Sequence, residues 1–594
     1  MNTRGPVVIV SMPFHGADRP SIQAGLLAAI VREHGFAART LHANLDLAAR
    51  IGPARYEQLA QHRDRMLGEW LFSVAAFGAR APDPGSALLD DLPGGFPDRK
   101  ELLRIRHEVV PAYLDDLVNT YEWRQTSVAG FTCTFQQNTA SFALARRLKN
   151  RFPDLVTVFG GANFDDEMGI EWVRTIDCVD YAIRGEADES FPQLLHALAT
   201  GDNPAGIPGV IRRDDDGTVT ATPPAPPSAL PVVAPDYDEF FRADHDSRVW
   251  IPIETSRGCW WGEKHHCTFC GLNATTMRFR AKPPGSALEE LDRQARRYGH
   301  FTFAAVDNIL DTGYLRTLLP ELAARDRGYE LFYEIKANLR RDQVRLLARA
   351  GVTRVQPGLE SLSTRVLALM RKGATAPQNV NLLRWARYYG LDVQWNLLWG
   401  FPGETRDDYT GQAALVPRLA HLQPPGGADR IWLERFSPLF TDERVRGRRP
   451  ERSYAYVYPP SIDLERVAYF FEYEVAGGLP EEAYDGLRRA AGAWQRAWDA
   501  PGRPSLTFRH APRFLQVYDA RHPGHECTHT FDGPAADVYS ACSDRPARAR
   551  AVRETLGLSA HTVHESLAEF DRLGLMLLED DTALALALPA VAGR

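Results

Sequence analysis

The 594-residue chain has little that would mark it as secreted, membrane-bound or nucleic-acid-binding. Seven cysteines are too few for a disulfide scaffold. No apolar run approaches the ~20 residues that span a bilayer. The first ten residues, MNTRGPVVIV, contain no signal-peptide core, so a cytoplasmic protein is expected. Charge of one sign is not in excess: 69 Lys+Arg face 76 Asp+Glu, a net charge of −7. That leaves no electrostatic footprint for nucleic acid. No His/carboxylate pair stands out that would run acid–base chemistry. What is present is an ordinary globular balance, 44% hydrophobic and 24% charged, in a length that fits roughly three or four domains.

Alternating strand and helix patterns predict an α/β fold. In residues 1–201, strands are expected at 6–12, 36–43, 127–133, 155–161 and 179–186, with a helical insertion at 45–125. This reads as a Rossmann-like domain. Residues 202–247 are proline-rich and read as a linker. A second series runs over 248–475, with strand candidates at 249–254, 301–306, 331–335, 354–360, 392–399 and 429–436. Six units predict a partial barrel with its site at the carboxyl ends of the strands. Residues 476–526 read as a helical and β extension. Residues 527–594 read as a small winged-helix-like domain, a peptide-docking or structural appendage. Its helix over 559–573 carries Glu565, Glu569 and Asp571 against Arg572, which disfavours DNA.

Three of the seven cysteines fall within twelve residues: Cys259, Cys267 and Cys270, in RGCWWGEKHHCTFCG (257–271). Thiolates bind zinc or iron–sulfur clusters. With His265 or His266 the set would suit a Cys3His zinc site; three cysteines alone would leave one iron of a cubane open. On spacing both fit. Their place after the first strand of a barrel series favours chemistry over a structural knuckle.

This segment resembles the cluster loop of radical S-adenosylmethionine (radical SAM) enzymes, with seven residues instead of three in the first gap. ETSRGCWWGEKHHCTFCGLN (254–273), VDNILD (306–311), YEIKANL (333–339), VQPGLESLSTRVLALMRKG (355–373) and WNLLWGFPGET (395–405) together resemble the cobalamin-dependent radical SAM maturases of ribosomal peptides. The resemblance implies a 4Fe–4S cluster on Cys259, Cys267 and Cys270, whose open iron takes S-adenosylmethionine. It implies that Phe269 packs near the adenine, and that Asp307, Asn308, Lys336, Asn338, Glu360, Ser361, Asn396 and Trp399 serve that ligand from successive strand ends. The family's Gly-Gly-Glu turn is absent at Asp307–Asn308.

In the N-terminal domain, GFTCTFQQN (130–138), FGGAN (159–163) and RGEADES (184–190) resemble the cobalamin-binding domain of the same branch. The resemblance implies contacts from Phe14, Thr132, Thr134, Phe135, Gln136, Gln137, Gly160, Gly161, Asn163, Gly185 and Glu186. Asp-x-His-x-x-Gly, which would supply a histidine below cobalt, is absent. His15 reads as a solvent-exposed loop residue. Phe14, Thr134, Phe135 and Gln136 are candidates to cover that face. The tyrosine-rich run at 453–460 reads as a peptide channel wall or a packed β-edge.

The implied reaction is C-methylation of an unactivated sp3 side-chain carbon in a ribosomal precursor peptide, with a flavodoxin- or ferredoxin-type electron donor and no nucleic acid or membrane partner. Epimerisation or ring formation with the same cofactors, and a zinc-stabilised peptide-binding protein without catalysis, are the alternatives.

Overall fold

The computed structural model describes residues 5–63, 65–92, 98–243, 249–273 and 276–590. Short apolar β-branched runs form a seven-stranded sheet at the N-terminus. Its strands are β1 (Val7–Ser11), β2 (Ala38–His42), β3 (Val128–Thr132), β4 (Val156–Gly160), β5 (Tyr181–Ile183), β6 (Val210–Arg213) and β7 (Val219–Ala221). The order is β2-β1-β3-β4-β5-β6-β7, parallel through β5. The order reverses between β1 and β3, which is where such sheets open a ligand crevice. β6 and β7 run antiparallel, so residues 210–221 belong to the sheet and not to a linker. The tight turn at Asp214–Gly217 closes this hairpin, with Gly217 N–H bonded to Asp214 C=O. The expected junction at 247–248 lies outside the described residues.

The insertion is helical, and its longest helices, Leu67–Phe77 and Val110–Thr120, pack on the sheet through Trp70, Leu71, Tyr113 and Leu114. Glu69 of the first helix caps the helix Asn138–Arg151 by accepting the N–H groups of Asn138 and Thr139 at 2.8 and 2.7 Å. A carboxylate suits these otherwise unpaired donors.

The second series forms β8 (Ile251–Ile253), β9 (Thr302–Ala305), β10 (Glu330–Glu334), β11 (Val352–Gln356) and β12 (Asp392–Val393), a parallel sheet in chain order. The fifth unit then breaks. β13 (Asn396–Trp399) pairs instead with β14 (Gly427–Arg430), and one bridge, Glu360 to Leu397, joins the two parts. The result is a partial six-unit barrel. Residues 453–457 form a short helix, not a β-edge, and turn Tyr454 and Val457 into the core shared with the N-terminal insertion.

The tail differs from the expectation of a separate unit beginning at 527. Cys527–Asp532 is the outer strand of an antiparallel sheet with Phe514–Ala520 and Ser505–Ala511, so that boundary cuts a sheet. Beyond it, three helices (Pro534–Ala541, Ala549–Leu556, Ala560–Arg572) and three short strands in the order Ala547–Arg548, Thr582–Ala585, Met576–Glu579 have a winged-helix arrangement. This part shares one hydrophobic core with the barrel. The guanidinium of buried Arg384 donates to the carbonyls of Ser543, Leu586 and Ala587. No helix among the described residues is long and apolar enough to cross a membrane.

Candidate functional site

The cysteine loop leaves the carboxyl end of β8 through Gly258, whose φ is +84° and where a Cβ would lie 2.2 Å from the Arg278 carbonyl. Only glycine permits that approach. Cys259 N–H bonds Met277 C=O at 3.1 Å, and Cys259 Sγ accepts Gly262 N–H at 3.3 Å. Cys270 N–H returns to Cys267 C=O at 3.2 Å. All three thiols are half-buried on one loop. Burial pushes the Cys270 thiol up to about 12, so metal binding there must displace its proton. His266 does not join them: its Nε2 lies 2.8 Å from the Cys270 carbonyl. Among the described residues, no three His, Cys, Asp or Glu side chains gather around one ion's position. Thiolates on separate corners of a cubane need not.

Two lysines face this loop. Lys336, at the end of β10, holds its Nζ 3.5 Å above the Trp261 ring and donates to the Lys372 carbonyl. Burial, with Lys372 close by, lowers it to about 8. Lys372 lies 3.5 Å from Glu360 and beside the Cys267 and Cys270 thiols. Glu360 has a φ of +58°, a strained conformation of the sort found at ligand sites. Beyond the sixth strand, in the short strand Leu433–Glu434 that pairs antiparallel with Phe470–Val475, Glu434 accepts Gly271 N–H at 2.6 Å, and burial raises its carboxyl to about 7. Phe269 packs edge-on against Phe401 at 6.0 Å, beyond the end of β13. Sequence reasoning passed over Lys372 and Glu434, because a lysine after a helix and a glutamate in a short strand carry no local signal.

Several strand-end residues turn elsewhere. Asp307 is fully buried and accepts from the Thr255 N–H, the Thr255 hydroxyl and the Ser256 hydroxyl. It braces the turn ahead of the cysteines instead of facing a ligand. Asn308 accepts from Asn273 Nδ2 at 3.0 Å. Ser361 donates to Gln412 Oε1 at 3.0 Å, away from the barrel mouth. Trp399 is buried against Tyr484, 5.0 Å between ring centroids, because strand alternation puts it opposite Asn396. Asn396 and Glu360 line a polar cavity of about 650 Å³ with Gln356 and Gln394. Asn338 is exposed beside a separate cleft of about 540 Å³ that includes Trp260 and Lys336.

At the N-terminal sheet, a cleft of about 390 Å³ opens at the carboxyl ends of the strands. Thr132, Gly160, Gly161, Gly185 and Glu186 line it, together with Glu254, Arg257 and Val306 of the barrel. Gly161 has a φ of +96°, and a Cβ there would lie 2.5 Å from the Cys133 carbonyl. Glu186 is bound to Arg257 and Arg280, so its carboxylate is an interdomain partner. Gln136 is consumed by Gly68 N–H and the Leu59 carbonyl, and Gln137 by Thr134 and the Met12 carbonyl. Asn163 bonds the Phe135 carbonyl and Asn138. Phe14 is buried, stacked on Tyr56 at 5.2 Å. Of the four residues considered for the lower face of cobalt, Phe135 stands open: it is 45% exposed, with φ +46° and the Arg63 guanidinium 4.3 Å from its ring. His15 is not a solvent-exposed loop residue. It is half-buried, its Nδ1 lies 3.0 Å from the Gly16 carbonyl, and burial lowers its pKa to about 4.

Residues 253–411 match the family described as the Radical SAM superfamily. An uncharacterized methyltransferase of Pyrococcus horikoshii is 26% identical over 302 residues, 49% of this chain and 64% of that protein. The hopanoid C-3 methylase of Methylococcus capsulatus is 27% identical over 319 residues, 50% of this chain and 57% of that one. The chain thus spans less than two thirds of either relative. Among solved structures, the radical S-adenosylmethionine methyltransferase TsrM from Kitasatospora setae, with cobalamin and a 4Fe–4S cluster bound, shares the fold. Its TM-score is 0.53 at 17% identity, over 83% of this chain and 88% of that one. The segment 253–411 is therefore a radical SAM domain, in a chain whose relatives include methyltransferases.

Proposed function

We propose that this chain is a cobalamin-dependent radical SAM enzyme that methylates an sp3 side-chain carbon of a ribosomally made peptide. The observation that carries the reading is a shared wall. Glu254 and Arg257, just ahead of the cysteine loop, line the same cleft as Gly160 and Gly161 of the N-terminal sheet. A methyl donor held there would lie beside a cluster held by Cys259, Cys267 and Cys270.

The residues fit the groups. The cleft is walled by Leu26, Leu27, Val158 and Ile183, and Gly130 and Gly160 leave room for a flat aromatic base. The thiols offer three ligands and leave a fourth position open. When bound, these cofactors would supply hydrogen abstraction from carbon and a transferable methyl group. The chain's part is to bind, orient and exclude water. Lys336 and Lys372 set positive charge against the thiolates and against a carboxylate ligand. Phe269, half-buried and braced edge-on by the buried Phe401, offers a face for a flat ring. Gln356, Gln394 and Asn396 present amide groups to the polar cavity, which suits a peptide backbone.

The test is anaerobic reconstitution with cobalamin, S-adenosylmethionine, reductant and the short peptide encoded nearest this chain. The expected outcome is one 5′-deoxyadenosine and one S-adenosylhomocysteine per methyl group gained. A product of unchanged mass would favour epimerisation, and loss of hydrogen would favour ring formation. A colourless protein that binds zinc and no iron would sink the reading.

A further inference from the structure

The seven-residue gap between Cys259 and Cys267 folds as one helical turn, Gly262–His265, with Glu263, Lys264 and His265 exposed. Glu263 is turned back, accepting Phe279 N–H at 2.9 Å. Lys264 is left facing solvent. Arg278, next to Phe279, and Arg371, whose carbonyl accepts the Trp261 indole N–H at 3.0 Å, are exposed in the same neighbourhood. None of these three cations forms an ion pair among the described residues. Asp442, which feels the charge of Arg371, is paired with Arg444.

The turn is braced from behind. The Trp261 ring packs on His265 at 4.5 Å. Gly373 leaves space for the indole, since a Cβ there would lie 2.1 Å from it. The chain as a whole is acidic, −7. Lys264 on the cysteine loop itself, with Arg278 and Arg371 beside that loop, makes a local set of cations that runs against the overall charge.

We propose that Lys264, Arg278 and Arg371 form the docking face for an acidic one-electron carrier of the flavodoxin or ferredoxin type. This rests on the reading of Cys259, Cys267 and Cys270 as cluster ligands. The reduced centre of the carrier loses one electron and the cluster gains it, with no bond made or broken. Opposite charge steers the encounter and sets its orientation.

The test compares the reconstituted holoenzyme with its Lys264→Glu/Arg278→Glu/Arg371→Glu variant by stopped-flow bleaching of the cluster's visible absorbance. Flavodoxin hydroquinone is the reductant at low salt. Dithionite is used at high salt, where steering by exposed charge is screened. The variant should be reduced by flavodoxin at least about tenfold more slowly and by dithionite at an unchanged rate. Its calorimetric affinity for oxidised flavodoxin should fall in parallel. Equal flavodoxin rates in the two proteins, or a matching drop with dithionite, would overturn the docking face. A wild-type protein without cluster absorbance would overturn the cysteine reading, and the docking face with it.

Discussion

Arg257 Nη1 lies 2.5 Å from Asp188 Oδ2, a contact that joins the cysteine loop of the barrel to the loop after β5 of the N-terminal sheet. The same guanidinium reaches Glu186 at 3.0 Å and Glu254 at 2.7 Å. Arg280 holds Glu186 from the other side. Glu254 is buried and the other three groups are half-buried, so the removal of Arg257 leaves three carboxylates crowded with one cation fewer. Arg257→Ala should therefore cost about 3 kcal/mol of stability, read by differential scanning calorimetry. Adding Asp188→Ala should return part of it. An unchanged transition would mean that the two domains are held by other contacts.

Any one of Cys259→Ala, Cys267→Ala and Cys270→Ala should abolish the brown colour of anaerobically reconstituted protein and all reductive cleavage of S-adenosylmethionine. His266→Ala should do neither, because its imidazole is turned to a backbone carbonyl. Loss of bound metal in His266→Ala, measured by elemental analysis, would favour the zinc alternative.

Bound cobalamin should have no protein imidazole below cobalt. His15 is half-buried with Nδ1 against its neighbour's carbonyl, and Phe135 stands open in that loop set. Nitrogen superhyperfine splitting from a protein histidine in the cob(II)alamin EPR spectrum, removed in His15→Ala, would contradict this.

The joint between barrel and tail should be sensitive to acid. His421 is buried with Nε2 3.0 Å from the Leu586 carbonyl, and burial, with Arg521 nearby, depresses its pKa to about 3. The folded state therefore holds the neutral ring. Its contribution is complete above the ordinary value of 6.5 and is lost as pH falls from there toward 3. One pH unit into that window costs about 1.4 kcal/mol. Denaturation at about pH 7.5 and about pH 5.5 should show this loss in the wild type and its absence in His421→Gln.

Truncation at 527 should not leave a working barrel. It removes Ser543, Leu586 and Ala587, whose carbonyls hold the fully buried Arg384, and the Asp544 carbonyl that accepts the Trp385 indole N–H. A buried charge left without partners costs several kcal/mol. The truncated chain should express as aggregate or lose its cooperative melt. A soluble truncation that binds a cluster would restore the tail to a detachable module.

The strand and helix series were legible because each buried strand needs an apolar run and each amphipathic helix repeats it at another period. The cysteine loop was legible because its ligands lie within twelve residues of chain. The 210–221 hairpin was missed because its short strands sit in a polar, proline-rich stretch, although Asp214–Gly217 was a turn signal. Parity misled the reading of Trp399: at a strand end every second side chain points away from the mouth, and a fifth strand broken between Val393 and Asn396 hides which ones do.

By itself, then, the sequence determined two α/β units and three thiols after the first strand of the second, since local spacing encodes both. Only the tertiary structure decided which polar groups converge. Asp307 spends its carboxylate on Thr255 and Ser256, and Glu186 spends its own on Arg257 and Arg280. Arg257 and Asp188 meet across 69 residues of chain. Such pairings are fixed by how the two units pack, and no local periodicity records them.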